Sequence, residues 1–235
     1  VKRGFYCNDQ SIQHEYKGDT ITTVTILLSG LVPMLLVSCF FTLSLQHDKL
    51  DLTFRVQITR GVNNADYLLL GKRFCPDTTV AYWFTCGVKY IFLGELRPHF
   101  LSTCQPDVEC KGTDCNVSLR FALFVSSYTC TNSEESLYFV RDASKSFPSG
   151  HAAMSVFEAI FLIWYLEKRV PRLRTLFTIP LFQMVLMCWA VFCSLSRITD
   201  NRHHWWDVLA GTIAGSIAAF MTVRLIRREM VNGKW

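Results

Sequence analysis

The stretch SRITDNRHHWWD, Ser196 to Asp207, packs two arginines, two histidines and two aspartates into twelve residues. It lies between TLFTIPLFQMVLMCWAVFCSL (Thr175 to Leu195) and VLAGTIAGSIAAFMTV (Val208 to Val223), two runs without a charged residue. Polar groups away from water are costly unless they are paired or used. The stretch therefore belongs where two apolar helices emerge, and its residue types ask what they hold.

Three more runs resemble the flanks: Ile21 to Leu45, Thr78 to Leu93 and Ala152 to Leu166. Each of the five is close to the roughly 20 residues that a helix needs to cross a bilayer. The chain has 235 residues, of which 50% are hydrophobic. Buried core helices of a large α protein are the alternative, but five such runs in one chain are hard to fit into a soluble domain. The expected fold is all-α, a polytopic membrane helical bundle with five transmembrane helices.

Loop charge orients the bundle, because short basic loops stay on the cytoplasmic side. EKRVPRLR (Glu167 to Arg174), the tail RLIRREMVNGKW after Val223, and the stretch from Gln46 to Arg73 with five Lys or Arg residues share one side. The N-terminal segment, the loop from Arg97 to Gly150 and the stretch from Ser196 to Asp207 then face out. Cys7, Cys104, Cys110, Cys115 and Cys130 all fall in these outer segments, where disulfides form. Their odd number leaves the pairing open, and no histidine lies among Cys104, Cys110 and Cys115 to favour zinc. The one N-glycosylation sequon, Asn116-Val117-Ser118, lies in the same outer loop. The chain starts at Val1, outside, and its tail is inside. Residues 1–235 are expected to form a single integral-membrane domain that lacks its first transmembrane helix. No signal peptide, internal repeat or low-complexity tract stands out.

Two other polar clusters share the outer level, GELRPHF (Gly94 to Phe100) and KSFPSGH (Lys145 to His151). In PSGH, Pro148 suits a helix start, Ser149 can cap it, and Gly150 lets a ligand approach the backbone. The free N–H groups there can receive an anion, and His151 can donate a proton to a departing group. An ordinary cap with a surface histidine reads equally well from these residues alone. His203 and Asp207 are four apart and share a face if the last helix begins near Arg202. A carboxylate so placed holds one imidazole nitrogen and leaves the other to attack. Arg197 offers a planar fork for phosphate oxygens. His204 points elsewhere and reads as an interfacial histidine beside Trp205 and Trp206. Gly211, Gly215 and Ala219 form a small-residue stripe for close helix packing, with Asp207 on the same side. Glu158, inside an apolar run, is read either as an inward hydrogen-bonding group or as a proton or substrate group. No carboxylate–histidine cluster with metal-ligand spacing occurs within the three blocks.

Together the blocks resemble the type 2 phosphatidic acid phosphatase superfamily, whose signature is Lys-x6-Arg-Pro, Pro-Ser-Gly-His and Ser-Arg-x5-His-x3-Asp. Pro148 to His151 match the second block, and Ser196, Arg197, His203 and Asp207 match the third in full. RGFYCNDQSI (Arg3 to Ile12) and LRPHF (Leu96 to Phe100) are similar to the animal lipid phosphate phosphatases. That resemblance implies six membrane helices in the full protein. It also implies His203 as nucleophile, Asp207 orienting it, and His151 as the acid for the leaving alcohol. Arg97, Ser149, Gly150 and Arg197 would hold the phosphate oxygens. Fixed arginines and backbone dipoles would stabilise charge, with no metal and no cofactor.

The first block departs from the pattern. Seven residues, not six, separate Lys89 from Arg97, so Tyr90 takes the aligned place. Lys89 serves as a phosphate ligand only if a π-bulge or its own length restores the phase. Glu95 adds a negative charge close to Arg97.

The expected activity is metal-independent hydrolysis of phosphatidate, lysophosphatidate, sphingosine 1-phosphate or ceramide 1-phosphate at the extracytoplasmic face, through a phosphohistidine. A weakly active or inactive relative that binds lipid or scaffolds partners, and a phosphatase for soluble monoesters, are the competing readings. The expected partners are a lipid phosphate and the bilayer, at the plasma membrane, with homo-oligomerisation open and no nucleic acid.

Overall fold

The computed structural model describes residues 3–47, 94–108, 124–169 and 177–231. The Thr78 to Leu93 run, Lys89, Tyr90 and Asn116 lie outside the described residues. Four long helices follow four of the apolar runs: α1 Thr23–His47, α4 Gly150–Arg169, α5 Thr178–Thr199 and α6 Trp205–Val231. Between α1 and α4 come the short helices α2 Phe100–Cys104 and α3 Leu137–Asp142. Among the described residues, α5 and α6 contain stretches of 21 and 24 residues that are long and apolar enough to cross a membrane.

Helix α4 is the hub. Ala152, Phe157, Phe161, Leu162 and Tyr165 are buried along it, although it also carries Ser155 and Glu158. Helix α6 approaches it through the small-residue stripe. A Cβ on Gly211 would stand 2.3 Å from the Ser149 carbonyl oxygen, and one on Gly215 would stand 2.2 Å from that of Ala153. Ala219 continues the line and is fully buried against Phe157, Phe161 and Tyr165. Glycine is thus required at two successive turns of α6 for backbone-to-backbone packing.

Glu158 faces α1, where Ser29 Oγ donates to its Oε2 at 3.3 Å and Gly30 leaves room for the carboxyl. This is the inward hydrogen bonding considered from the sequence. Leu181, Met184, Val185, Ile213, Ile217 and Phe220 instead point outward. Apolar outer faces over a partly polar interior are the arrangement that lipid selects.

Above the helix ends sits a small cap. Strand β1 (Phe5–Tyr6) pairs antiparallel with β2 (Phe124–Val125), Phe5 opposite Val125. The described residues are mostly helical, as expected, and this two-residue pair ties the N-terminal segment to the segment before α3. Phe5, Ile12, Phe100, Val125 and Tyr128 form its core, with Phe5, Phe100 and Tyr128 meeting edge to face. A disulfide joins Cys104 to Cys130, and Cys7 is also disulfide-bonded.

Candidate active site

The three polar clusters converge where α4 and α6 begin. Backbone bonds fix their relative positions. Arg97 N–H donates to the Ala143 carbonyl and Ser146 N–H to the Glu95 carbonyl, each at 2.9 Å. Ser149 N–H then donates to the Asp207 carbonyl at 3.0 Å. The first block is thus laced to the approach to PSGH, and PSGH to the third block.

Ser149 caps α4, accepting the Ala152 N–H at 3.4 Å. Gly150 opens the helix, and a Cβ built there would meet nothing within 4 Å. That leaves room for a ligand oxygen against the backbone at the positive helix end. His151 follows in the first turn of α4.

The third block folds differently from the sequence expectation. The last helix begins at Trp205, not near Arg202, and His203 precedes it. Asn201 takes φ +56, and the Arg197 carbonyl accepts both Arg202 N–H (3.0 Å) and His203 N–H (3.1 Å). This tight turn ends α5 and re-aims the chain. Asp207, third residue of α6, reaches back to accept the His204 N–H at 2.9 Å, half of a capping box. The same carboxylate oxygen, Oδ2, lies 3.5 Å from His203 Nδ1. The expected His203–Asp207 pairing is present, but the cap geometry creates it rather than a shared helix face.

His204 also departs from expectation. Its ring stacks on Trp206 at 4.5 Å, as an interfacial histidine can, yet its Nδ1 is 3.4 Å from Asp207 Oδ2. With Glu95 Oε1 these two residues bring three potential metal-ligand atoms within 4.8 Å of one another. The sequence blocks taken singly gave no such cluster; it forms because two blocks meet. It fits a metal poorly, since Asp207 Oδ2 is occupied by Ser146 Oγ and His204 N–H, and Glu95 Oε1 accepts from Trp206 Nε1 at 2.8 Å. Burial, foremost, raises the Glu95 carboxyl above its ordinary range, and the Trp206 bond opposes that.

Both candidate phosphate arginines are buried and matched by carboxylates. Arg97 meets Asp142 at 2.8 Å and donates to the Asp142 carbonyl at 2.9 Å. Arg197 meets Asp200 at 2.9 Å and Asp19 at 3.1 Å. Arg202 lies between them, 3.1 Å from Asp19 and 3.3 Å from Asp142. Burial lowers Arg97 to about 10, against the pull of Asp142, so it stays charged at neutral pH. His99 is fully buried, accepted at Nδ1 by the Asn201 carbonyl at 2.8 Å, and burial drives it down to about 4. It stays a neutral spacer.

Ser146, Asp19, Asp142, Asp200 and Arg202 were not singled out by sequence reasoning. Ser146 and Arg202 stand inside the clusters that were quoted, so their positions were a signal. Asp19 meets Arg197 across a separation of 178 residues, and no local pattern points to it.

Among the described residues, four long helices lie below a polar mouth in which an imidazole stands beside a buried aspartate with arginines close by, and two of these helices are long and apolar enough to cross a membrane. Residues 74–230 match the PAP2 superfamily. The chain belongs to that superfamily, on its phospholipid phosphatase branch. It is 33% identical to phospholipid phosphatase 2 of Mus musculus over 231 residues, covering 96% of this chain and 76% of that protein. It is 32% identical to the human phospholipid phosphatase 2 over 225 residues, 94% of this chain and 72% of that protein. It is also 32% identical to the phospholipid phosphatase homolog 1.2 homolog of Caenorhabditis elegans over 216 residues, 89% of this chain. The chain spans 61% of the length of the nematode relative and of a Drosophila melanogaster relative. No solved structure matches the chain.

Proposed function

We propose that the chain is a metal-independent lipid phosphate phosphatase, acting on phosphatidate, lysophosphatidate, sphingosine 1-phosphate or ceramide 1-phosphate. The observation that carries this reading is the convergence on Asp207: its carboxylate holds His203, and its carbonyl holds the Ser149 N–H beside Gly150 and His151. His203 Nε2 attacks phosphorus, forming an N–P bond as the P–O bond to the lipid alcohol breaks. His151 gives its proton to the departing oxygen. A water, deprotonated by His151, then attacks phosphorus, the N–P bond breaks and phosphate leaves. Arg97, Arg197, Ser149 and the Gly150 backbone stabilise the charge that builds on the equatorial oxygens. Lys89 joins them if its phase is restored.

The same reading has five membrane spans in this chain, a plasma-membrane location with the site facing out, and a glycan on Asn116. The loop charges and the Cys104–Cys130 disulfide support that orientation.

One observation favours the second reading, an inactive lipid-binding or scaffolding relative. Three arginines (97, 197 and 202) face three aspartates (19, 142 and 200), so the mouth is formally balanced without a phosphate. Phosphate release from mixed lipid micelles, beside a soluble aryl phosphate and in excess EDTA, decides between the two. Release from the lipid supports the enzyme; release from neither substrate supports the scaffold. Release from the aryl phosphate alone would favour a phosphatase for soluble monoesters.

A further inference from the structure

We propose that Ser146 is a positioning residue that fixes the tautomer and orientation of His203, acting as a bridge between that imidazole and Asp207. The inference rests on the phosphatase reading above and adds a residue to it.

Ser146 is fully buried two positions before Pro148-Ser149, and its N–H is held by the Glu95 carbonyl at 2.9 Å. Its hydroxyl donates to Asp207 Oδ2 and lies 3.4 Å from His203 Nδ1. A serine hydroxyl has one proton and two acceptor lone pairs. If it gave that proton to the imidazole, two bare acceptors, Oγ and Oδ2, would face each other inside the protein. The proton therefore belongs to the carboxylate. Toward His203 the hydroxyl oxygen can only accept, so Nδ1 carries the ring proton and Nε2 the lone pair. That is the tautomer a nucleophilic imidazole needs.

Asp207 Oδ2, 3.5 Å from His203 Nδ1, can only accept and favours the same tautomer, but it is a shared acceptor. It already accepts the His204 N–H, and the His204 Nδ1 lies as near to it as the Nδ1 of His203. Asp207 Oδ1, also buried, has no hydrogen-bond partner among the described residues. Ser146 is the group that is bonded to Asp207 and also faces His203 at Nδ1. The arrangement resembles in logic the outer partners that orient ligating histidines, where the remote nitrogen's hydrogen bond sets the ring. Ser146 also comes from the segment that leads into PSGH. It therefore couples the ring that attacks to the loop that would hold the phosphate.

The test uses the full chain in detergent–lipid micelles, with Ser146→Ala and Ser146→Cys beside the wild type and His203→Ala. Cysteine keeps the volume but is a weak donor. Both Ser146 variants are expected to lose kcat by about ten- to a hundredfold, the worth of a hydrogen bond to a charged group. The factor should be the same for a lipid phosphate and for an aryl phosphate, because the attacking ring is impaired rather than the departure of the alcohol. KM should change by less than about twofold on either substrate, since the arginines are untouched. Rapid-quench labelling should show the phosphoenzyme forming more slowly by the same factor. A kcat within about twofold of wild type, a loss carried by KM, or a loss confined to the lipid substrate would each overturn the role of Ser146. A wild type that hydrolyses neither substrate, or an active His203→Ala, would overturn the phosphatase reading and the proposal with it.

Discussion

His203 Nδ1 lies 3.5 Å from Asp207 Oδ2 although His203 stands outside the helix that carries Asp207. One carboxylate both caps α6 through the His204 N–H and faces the imidazole. Helix start and site geometry therefore share one carboxylate, just after the turn at Asn201.

His203→Ala is expected to lower turnover by about a thousandfold or more, as removal of a nucleophile does. His204→Ala should keep activity within about fivefold, the effect of roughly 1 kcal/mol. Both rings approach Asp207 equally, but His204 is stacked on Trp206 and only His203 also faces Ser146. Steady-state phosphate release checks both. If His204 proved the indispensable one, the roles given to the two rings would be reversed.

Gly215→Val should destabilise the bundle by about 3 kcal/mol, near the upper end of ordinary overpacking. The clash is with the Ala153 carbonyl, which is backbone and cannot rotate away. The melting temperature in detergent should fall by about 6–12 °C for a chain of this size. Ile217→Val, on the outward face, should leave it nearly unchanged. An unaltered melting temperature for Gly215→Val would mean that α4 and α6 do not meet at that level.

Acid stability should depend on His99. Its folded value is about 4, against an ordinary 6.5, with burial as the main cause. Between those two pH values the unfolded chain binds a proton that the folded chain refuses, so stability falls as pH drops from 6.5 toward 4. Fully developed, the effect is about 3 kcal/mol. Melting temperatures measured from pH 7 down to 4.5 should fall less steeply for His99→Gln than for the wild type. Parallel slopes would contradict a neutral, buried His99.

Much of this architecture was legible in the sequence because it rests on local periodicity. Four of the five apolar runs coincide with described helices to within about four residues, except that α6 runs eight residues past Val223, and Gly211, Gly215 and Ala219 pack as their spacing implies. The cap of α4 by Ser149 was equally local. What stayed hidden depends on contacts between distant segments. Asp19 reaches Arg197, Phe5 pairs with Val125, and Glu95 approaches His204, each through tertiary placement. The start of α6 was misplaced by three residues because the period of four between His203 and Asp207 fits a helix as well as it fits a cap. Only the positive φ at Asn201 separates the two, and asparagine tolerates either conformation.

The most direct test is labelling of the protein with a 32P-labelled lipid phosphate in excess EDTA, quenched in alkaline SDS. The account predicts a phosphoenzyme that is labile to acid and stable to base, as a phosphohistidine is. It should be present in the wild type and in His204→Ala, absent in His203→Ala, and prevented by vanadate. Label that persists in His203→Ala, or turnover that EDTA abolishes and Mg²⁺ restores, would contradict it.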